Sequence, residues 1–160
     1  MNRIAVLCGT GMSTFSKSLS SMVESRSELM FAESEWGEVP IKVVNTASGV
    51  VFVIDRHHSP GDSRTPPHAI EHRANVHAAS SCNPDLIVSI NSVGSMLQNM
   101  LPGTIGVGGG LLDLSEKPWT FHDVDAFHSD RTNPFNGYYS DLCVETLAKK
   151  QGSTPSGVVV

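Results

Sequence analysis

Three short apolar runs constrain the fold of this chain more than any other feature. They are Ile4–Cys8, Val50–Ile54 and Leu86–Ile90, and none alternates regularly between apolar and polar residues. A nearly continuous apolar run of this length is typical of a strand that is buried on both faces, as in a parallel sheet. The sequence therefore predicts a mixed, largely parallel central sheet that is flanked by helices.

The rest of the chain supplies weaker secondary-structure signals. We expect a further strand at Ile41–Val44, a weak helix over about 14–31 that could be interrupted, and helices over about 68–81 and 140–149. Residues 105–107 lead into a glycine hinge at Gly108–Gly110, and a strand is expected to begin at 157–160. Two long segments, Asp55–Pro67 and 115–138, are predicted to be loops, and long loops in small domains are often functional.

Composition limits the class of protein. The 160 residues fit one domain covering 1–160, and 11 basic against 16 acidic residues give a net charge of −5. A general nucleic-acid binder needs a basic face, so nucleic acid is not an expected partner. The N-terminal apolar run is too short for a signal peptide or a membrane span, and three scattered cysteines form no paired motif. We therefore expect a cytoplasmic protein that does not associate with membranes.

Hydrogen-bond donors follow each of the three apolar runs. Thr10, between two glycines, follows the first, Arg56 and His57 follow the second, and Asn91 and Ser92 follow the third. Ligands of parallel sheets bind outside the carboxyl ends of the strands, where these turns would lie together. Glycine turns, hydroxyls and a guanidinium are suited to a phosphate oxyanion, although each turn has an ordinary structural explanation when taken alone.

Other ligand motifs fit poorly. The first lysine after the Gly-Thr-Gly turn is Lys17, so the Gly-Lys-Ser/Thr ending of a Walker loop is missing. Thr14 stands where a dinucleotide fingerprint needs its third glycine. His68 and His72 have helical spacing, but His68 is not followed by the glutamate of a zinc-protease motif. No metal site is predicted.

In this order, the turns resemble the purine nucleoside phosphorylase and methylthioadenosine phosphorylase family of the trimeric class. The resemblance is carried by Cys8–Met12, Arg56–His57, Pro66–His68, Arg73–Asn75, Ile90–Met96, Leu101–Gly103, and His128 together with Asn133–Phe135. It implies a nucleoside phosphorylase fold and a pentosyltransferase of purine salvage, which cleaves a purine nucleoside to free base and pentose 1-phosphate. Inorganic phosphate is then the co-substrate, and no metal or organic cofactor is implied.

The resemblance also assigns roles to individual residues. Thr10, Arg56, His57 and Ser92 would contact phosphate, and Asn91 would lie near phosphate and sugar. The resemblance places His128 near the 5′ side of a nucleoside bound by a neighbouring subunit. A residue that reaches a neighbouring subunit's nucleoside implies a homo-oligomer, either a trimer or a multiple of it. No catalytic residue is assigned.

Departures from the family leave alternatives open. His58 replaces a glycine, Ser63 stands nearest to the family's second loop histidine, and Thr104 replaces an aspartate. The sequence ends at Val160, where the family continues toward the ribose and purine residues of its site. We therefore expect an incomplete domain with the phosphate-binding half of the site. A non-catalytic phosphate- or nucleotide-binding homologue, a subunit of a split enzyme and a nucleosidase are the alternatives, and the preferred purine and 5′ substituent are undetermined.

Overall fold

The computed structural model describes residues 2–61, 63–114 and 120–160. The chain divides into two compact units, Met1–Val93 and Gly94–Val160. The first unit contains five strands and two helices: β1 (Asn2–Cys8), α1 (Phe15–Met22), β2 (Ser27–Ser34), β3 (Gly37–Thr46), β4 (Gly49–Asp55), a 3₁₀ turn (Pro67–Ala69), α2 (His72–Ser81) and β5 (Leu86–Ile90). The second contains β6 (Val107–Gly110), α3 (Gly137–Gln151) and β7 (Ser156–Val159).

The five strands of the first unit form one sheet in the order β2-β3-β4-β1-β5. β1 lies between β4 and β5 and is parallel to both, whereas β3 is antiparallel to β2 and to β4. The predicted mixed sheet flanked by helices is therefore confirmed. Its parallel half comprises the three strands that the continuous apolar runs predicted.

From Ile4 to Cys8, β1 is apolar because both of its faces are covered. Successive strand residues point to opposite faces, and Ala5 and Leu7 join a core cluster that includes Ala74 and Ala78 of α2. Val6 and Cys8 join the opposite cluster, against which Phe15 of α1 packs. The two helices thus cover opposite faces of the sheet, and the small side chains of α2 let it approach the strands closely.

The helix predicted over 14–31 is wrong in its second half. The helix ends at Met22, and β2 begins at Ser27 after a turn in which Glu24 has a φ of 51°. β2 then pairs with β3 along its whole length, from Ser27↔Val44 to Ser34↔Gly37. Strand pairing outweighs the weak local preference of this serine-rich segment, because β-propensity depends mainly on cross-strand context.

Two further boundaries differ from the predictions. The helix predicted over 68–81 is divided, with a 3₁₀ turn at Pro67–Ala69 and α2 beginning only at His72. The predicted glycine hinge is replaced by β6, which contains all three glycines and pairs with β7. A Cβ on Gly109 would overlap the backbone of Gly157, so close approach of the two strands explains that glycine.

Other predictions for the second unit are close to the structure. The last helix extends slightly beyond the predicted 140–149, and the final strand lies where it was expected. Residues 120–136 contain no helix or strand, in agreement with the predicted loop over 115–138, of which 137–138 belong to α3 and 115–119 lie outside the described residues. Across the described part of the chain, no helix has the length and apolar character that crossing a bilayer requires. That 1–160 forms a single domain stays a prediction.

Candidate anion-binding site

The carboxyl ends of β4, β1 and β5 are level with one another. Cys8, the last residue of β1, is the register partner of Asp55 on one side and of Ile90 on the other, and these are the last residues of their strands. The next residues of each chain segment therefore leave the sheet side by side. The three donor-bearing turns that the sequence singled out lie together at this edge.

The turn after β1 is fixed to the end of β5 and to the turn that follows it. The Gly9 N–H donates to the carbonyl of Ile90 at 2.9 Å, and the Ser92 hydroxyl donates to the carbonyl of Thr10 at 2.8 Å. Gly11 has a φ of 83°, a conformation that favours glycine. Thr10 is thereby held in an exposed position at the edge of the sheet.

Arg56 enters the same edge from β4. Its backbone N–H donates to the carbonyl of Cys8 at 3.0 Å. A Cβ built on Gly9 would lie 2.6 Å from Arg56 Nη2 and 3.3 Å from Asn91 Oδ1. The guanidinium of Arg56 and the amide of Asn91 therefore both pack over Gly9, and the absence of a side chain there gives them room.

Asp55 lies beside this cation, and its carboxylate is bound to other groups. Arg64 donates to both oxygens of Asp55, at 2.7 and 3.0 Å, and the His57 N–H donates to Oδ1 at 3.0 Å. A carboxylate that already accepts three hydrogen bonds competes less for the guanidinium of Arg56. This arrangement leaves the charge of Arg56 available to a ligand.

His57 is buried, with 6% of its surface exposed. Its Nδ1 lies 2.9 Å from the carbonyl of Thr65, and its Nε2 lies 3.2 Å from the hydroxyl of Thr10. Because a carbonyl only accepts, Nδ1 carries a proton in this arrangement. Both ring nitrogens thus serve to hold Thr10 and the loop that contains Thr65.

Asn91 and Ser92 are exposed in the first unit. Asn91 Nδ2 donates to the Ser89 hydroxyl at 3.2 Å, which orients its amide within the turn. The structure thus brings together all five residues predicted to form the phosphate-binding group, although their contact with phosphate stays a prediction. His128 belongs to the second unit, where it is exposed, and its predicted role at a neighbouring subunit's nucleoside also stays a prediction.

Cys8 lies beneath the site and is not suited to be a nucleophile. It is 1% exposed, and burial, assisted by the charge of Asp55 and opposed by that of Arg56, raises the pKa of its thiol to about 11. A thiol with such a pKa is protonated at neutral pH, and the thiolate is the reactive form. Its position at the end of β1 therefore reflects packing.

Sequence reasoning missed the residues that support the site from behind. Arg64 and Thr65 lie in the long loop after β4, and neither stood in a recognisable motif. Asp55 was visible at the strand end, but no spacing rule links it to a partner nine residues later in a loop. Asn75 lay in a segment that carried the family resemblance, yet no role was predicted for it.

A mixed sheet with helices on both faces, and with polar turns at the level ends of parallel strands, defines an α/β protein of the class that binds ligands at the carboxyl edge of its sheet. Comparison of the sequence identifies its relatives within that class. No family model matches the chain. It is nevertheless a relative of the purine nucleoside phosphorylase and methylthioadenosine phosphorylase family, as the resemblance of its turns predicted.

Two curated relatives carry this assignment. A probable S-methyl-5′-thioinosine phosphorylase from Methanothermobacter thermautotrophicus is 32% identical over 134 residues, which are 82% of this chain and 45% of that protein. A 6-oxopurine nucleoside phosphorylase from Pyrococcus furiosus is 31% identical over 144 residues, which are 84% of this chain and 51% of that protein. The chain thus spans about half the length of the curated relatives it matches.

Solved structures agree at the level of the fold. Methylthioadenosine phosphorylase from Schistosoma mansoni, in complex with tubercidin, is similar with a TM-score of 0.74 over 95% of this chain and 53% of that one, at 16% identity. A methylthioadenosine phosphorylase from an antarctic soil metagenomic library is also similar, with a TM-score of 0.74 and 18% identity, over 97% of this chain and 53% of that one.

Proposed function

We propose that this chain provides the phosphate-binding part of a nucleoside phosphorylase site. The observation that carries the proposal is the convergence of Thr10, Arg56 and the Asn91–Ser92 turn at the level ends of three adjacent strands. The curated relatives are named as phosphorylases of S-methyl-5′-thioinosine and of 6-oxopurine nucleosides, which supports a purine nucleoside as the second substrate.

Each group has a distinct part in holding phosphate. The guanidinium of Arg56 supplies a permanent positive charge and two parallel N–H donors, a geometry that matches a pair of phosphate oxygens. Thr10 offers its hydroxyl and Asn91 a second amide N–H, both on exposed turns, whereas the Ser92 hydroxyl donates to the Thr10 carbonyl and would have to turn away from it to donate to phosphate. His57 braces Thr10 through the contact at Nε2. The net charge of −5 does not oppose this, because a few local donors suffice for one anion.

The chemistry proposed at this site is phosphorolysis. A phosphate oxygen forms a bond to the anomeric carbon of the nucleoside while the bond from that carbon to the purine nitrogen breaks. The electron pair leaves with the purine, which takes up a proton, and the products are free base and pentose 1-phosphate. A phosphate anion held directly beneath the sugar both supplies the nucleophile and stabilises the cationic character of the transition state.

The remaining features of the proposal are those of the family. Phosphate serves as co-substrate without a metal or an organic cofactor, and the protein acts in the cytoplasm as a trimer or a multiple of it. His128 approaches the nucleoside of a neighbouring subunit in such an assembly. Because the preferred purine and 5′ substituent are undetermined, purine nucleosides with different 5′ substituents are chosen as assay substrates.

Arg56→Ala tests the anion site directly. Titration with inorganic phosphate should raise the melting temperature of the wild type, because a ligand that binds only the folded state stabilises it. The shift should disappear in Arg56→Ala and persist in Arg26→Ala, which removes the same charge from an exposed turn. Equal shifts in all three proteins would contradict the proposal.

A base-release assay separates the alternative functions. Inosine, adenosine and methylthioadenosine are incubated with the protein in phosphate and in a buffer without phosphate. A phosphorylase releases base only in phosphate, whereas a nucleosidase releases it in both. Phosphate binding without base release would indicate a non-catalytic homologue or a subunit that requires a second chain.

A further inference from the structure

The two hydroxyl groups of the candidate anion site are already bonded within the protein. The Ser92 hydroxyl donates to the carbonyl of Thr10 at 2.8 Å. The hydroxyl of Thr10, on an exposed turn, lies 3.2 Å from Nε2 of His57. Which of these last two atoms is the donor depends on the protonation of the ring, and this decides what Thr10 can offer to an anion.

The other side of the His57 ring fixes where its proton lies. Nδ1 is 2.9 Å from the carbonyl of Thr65, and a carbonyl only accepts, so Nδ1 carries a proton. In a neutral imidazole the second nitrogen is then an acceptor. The Thr10 hydroxyl therefore donates its single proton to Nε2, and it has only lone pairs for any other partner.

Thr10 in this state is unsuited to hold an anion. Phosphate and sulfate oxygens accept hydrogen bonds, so contact with a hydroxyl oxygen that has already donated its proton is unfavourable. Rotating the hydroxyl toward the anion would break its bond to His57. That ring is 6% exposed, so Nε2 would be left with little access to water, and an unpaired buried polar atom is destabilising.

A second proton on His57 removes this conflict. Nε2 then donates to the Thr10 oxygen, Nδ1 keeps its bond to Thr65, and the hydroxyl proton of Thr10 can point to the anion. The charged ring also adds a positive charge one hydrogen bond away from the ligand. Histidine is suited to such a change, because its ordinary titration falls between pH 5 and 8.

The charges around His57 link this proton to the anion. The ring bonds to the turn at 8–11 and to its own loop, 55–66. The other titratable side chains of these segments, among the described residues, are Cys8, Asp55, Arg56, His58 and Arg64. Asp55 is bound at both oxygens by Arg64, and burial keeps the Cys8 thiol protonated. Arg56 is therefore the main charge that opposes a second proton on His57, and a bound anion would neutralise it.

We propose that anion binding at this edge takes up one proton from solvent, which His57 accepts at Nε2 so that Thr10 can donate to the anion. His57 is then a positioning residue that acts on the ligand through Thr10. The proposal rests on the proposed function, since it places the anion beside Thr10 and Arg56. Because binding consumes a proton, affinity for the anion should decrease as pH rises.

Sulfate is the probe that isolates the proton taken up by the protein. Phosphate itself gains and loses a proton near neutral pH, whereas sulfate stays fully ionised there. Any proton taken up with sulfate therefore goes to the protein. Calorimetric titrations in two buffers with different ionisation enthalpies give the number of protons from the difference in apparent binding enthalpy.

The wild type should take up more than about half a proton per sulfate, and its affinity should fall about three- to tenfold between pH 7 and 8. His57→Asn keeps a donor for Thr65 but has no group in the place of Nε2, so the Thr10 hydroxyl can donate to the anion without a proton. Its affinity should change less than about twofold, with no proton uptake. If this variant does not fold, His57→Gln, whose amide can donate to Thr10 without titrating, replaces it under the same criterion.

His58→Asn is the matched control, because it removes the neighbouring imidazole. Burial lowers the pKa of His58, and the charge of Asp55 partly opposes this. His58→Asn should retain the proton uptake of the wild type. Uptake that persists in His57→Asn, or that disappears in His58→Asn, would overturn the proposal.

Nitrogen-15 resonances of the His57 ring, assigned as the signals absent from His57→Asn, give its protonation directly. At about pH 8 the free protein should carry a proton on Nδ1 alone, and saturation with sulfate should protonate both nitrogens. Sulfate binding with an unchanged ring would refute the coupling and leave the proposed function intact. Absence of sulfate and phosphate binding by the wild type would refute the proposed function and the coupling together.

Discussion

The two units of this chain differ in how they use their apolar residues. Within the described residues, every buried hydrophobic side chain lies between Ala5 and Cys82, in the first unit. α3, the longest helix of the second unit, has no buried residue. Large apolar side chains of the second unit are exposed instead, among them Leu112, Leu114, Val124 and Phe127.

This difference indicates that the units are held by different interactions. The first has a sheet with an apolar cluster on each face, so hydrophobic burial dominates its stability. The second relies on the β6–β7 pairing and on Gln151, whose side chain both accepts from and donates to the backbone of Ile105. The candidate anion site lies wholly in the unit with the buried core, where its donors have a rigid support.

The largest expected effect comes from truncating the core of the first unit. Ile54 is fully buried, whereas Leu142 of α3 is 47% exposed. Ile54→Ala should lower the free energy of unfolding by about 3–4 kcal/mol through lost burial and a residual cavity. Leu142→Ala should lower it by less than about 1 kcal/mol, since surface substitutions have small effects. Denaturant titrations with hydrogen exchange measure both, and similar losses would remove the contrast between the units.

Alkaline pH should destabilise the first unit through Cys8. The pKa of this thiol is raised from 9.0 to about 11 in the folded protein. Below pH 9 the thiol is protonated in both the folded and the unfolded state and has no effect. Between pH 9 and 11 only the unfolded state loses the proton, so the free energy of unfolding falls by about 2–3 kcal/mol.

Matched alanine variants separate this contribution from other groups that titrate at high pH. Cys8→Ala should show a shallower loss of stability between pH 9 and 11 than the wild type. Cys143→Ala, which changes an exposed cysteine of the second unit, should follow the wild-type curve. Parallel curves for all three proteins would argue against a thiol that is protonated through burial.

Gly9→Ala should give the smallest free-energy change and the most local one. A Cβ there meets the guanidinium of Arg56 and the carbonyl of Ile90, at 2.6 and 3.2 Å, so the guanidinium should be displaced while the fold is retained. Phosphate affinity should fall about tenfold, as for a lost charged hydrogen bond. Gly94→Ala, where a Cβ meets nothing within 4 Å, is the control. Unchanged calorimetric affinity in Gly9→Ala would place the ligand elsewhere.

The parts of the fold that sequence could predict are those governed by local pattern. Leu86–Ile90 was predicted with its observed bounds, and the turns after the three parallel strands were located correctly. Both features depend on consecutive residues, namely an apolar run and the glycine or polar residues that follow it. β2 was missed because an edge strand depends on its partner. Its residues, such as Leu29 and Phe31, remain largely exposed and show no clear alternation.

The supporting contacts of the site depend on distance in space and escaped prediction for that reason. Arg64 and Asp55 are nine residues apart in the chain, and Arg56 and Asn75 of α2 line one cavity although nineteen positions separate them. His57 was expected to meet a ligand, yet its burial and its two ring contacts arise only once the loop folds back to Thr65. Such pairings leave no periodic trace in the sequence.

The level strand ends at Cys8, Asp55 and Ile90 have a consequence for anion selectivity. Donors fixed by backbone register are already arranged before an anion arrives, so little conformational freedom is lost on association. A rigid cradle of this kind distinguishes ions by shape and size more than by chemical identity. Sulfate and arsenate, which share the tetrahedral form of phosphate, should therefore compete for it, whereas planar nitrate should be a poor competitor.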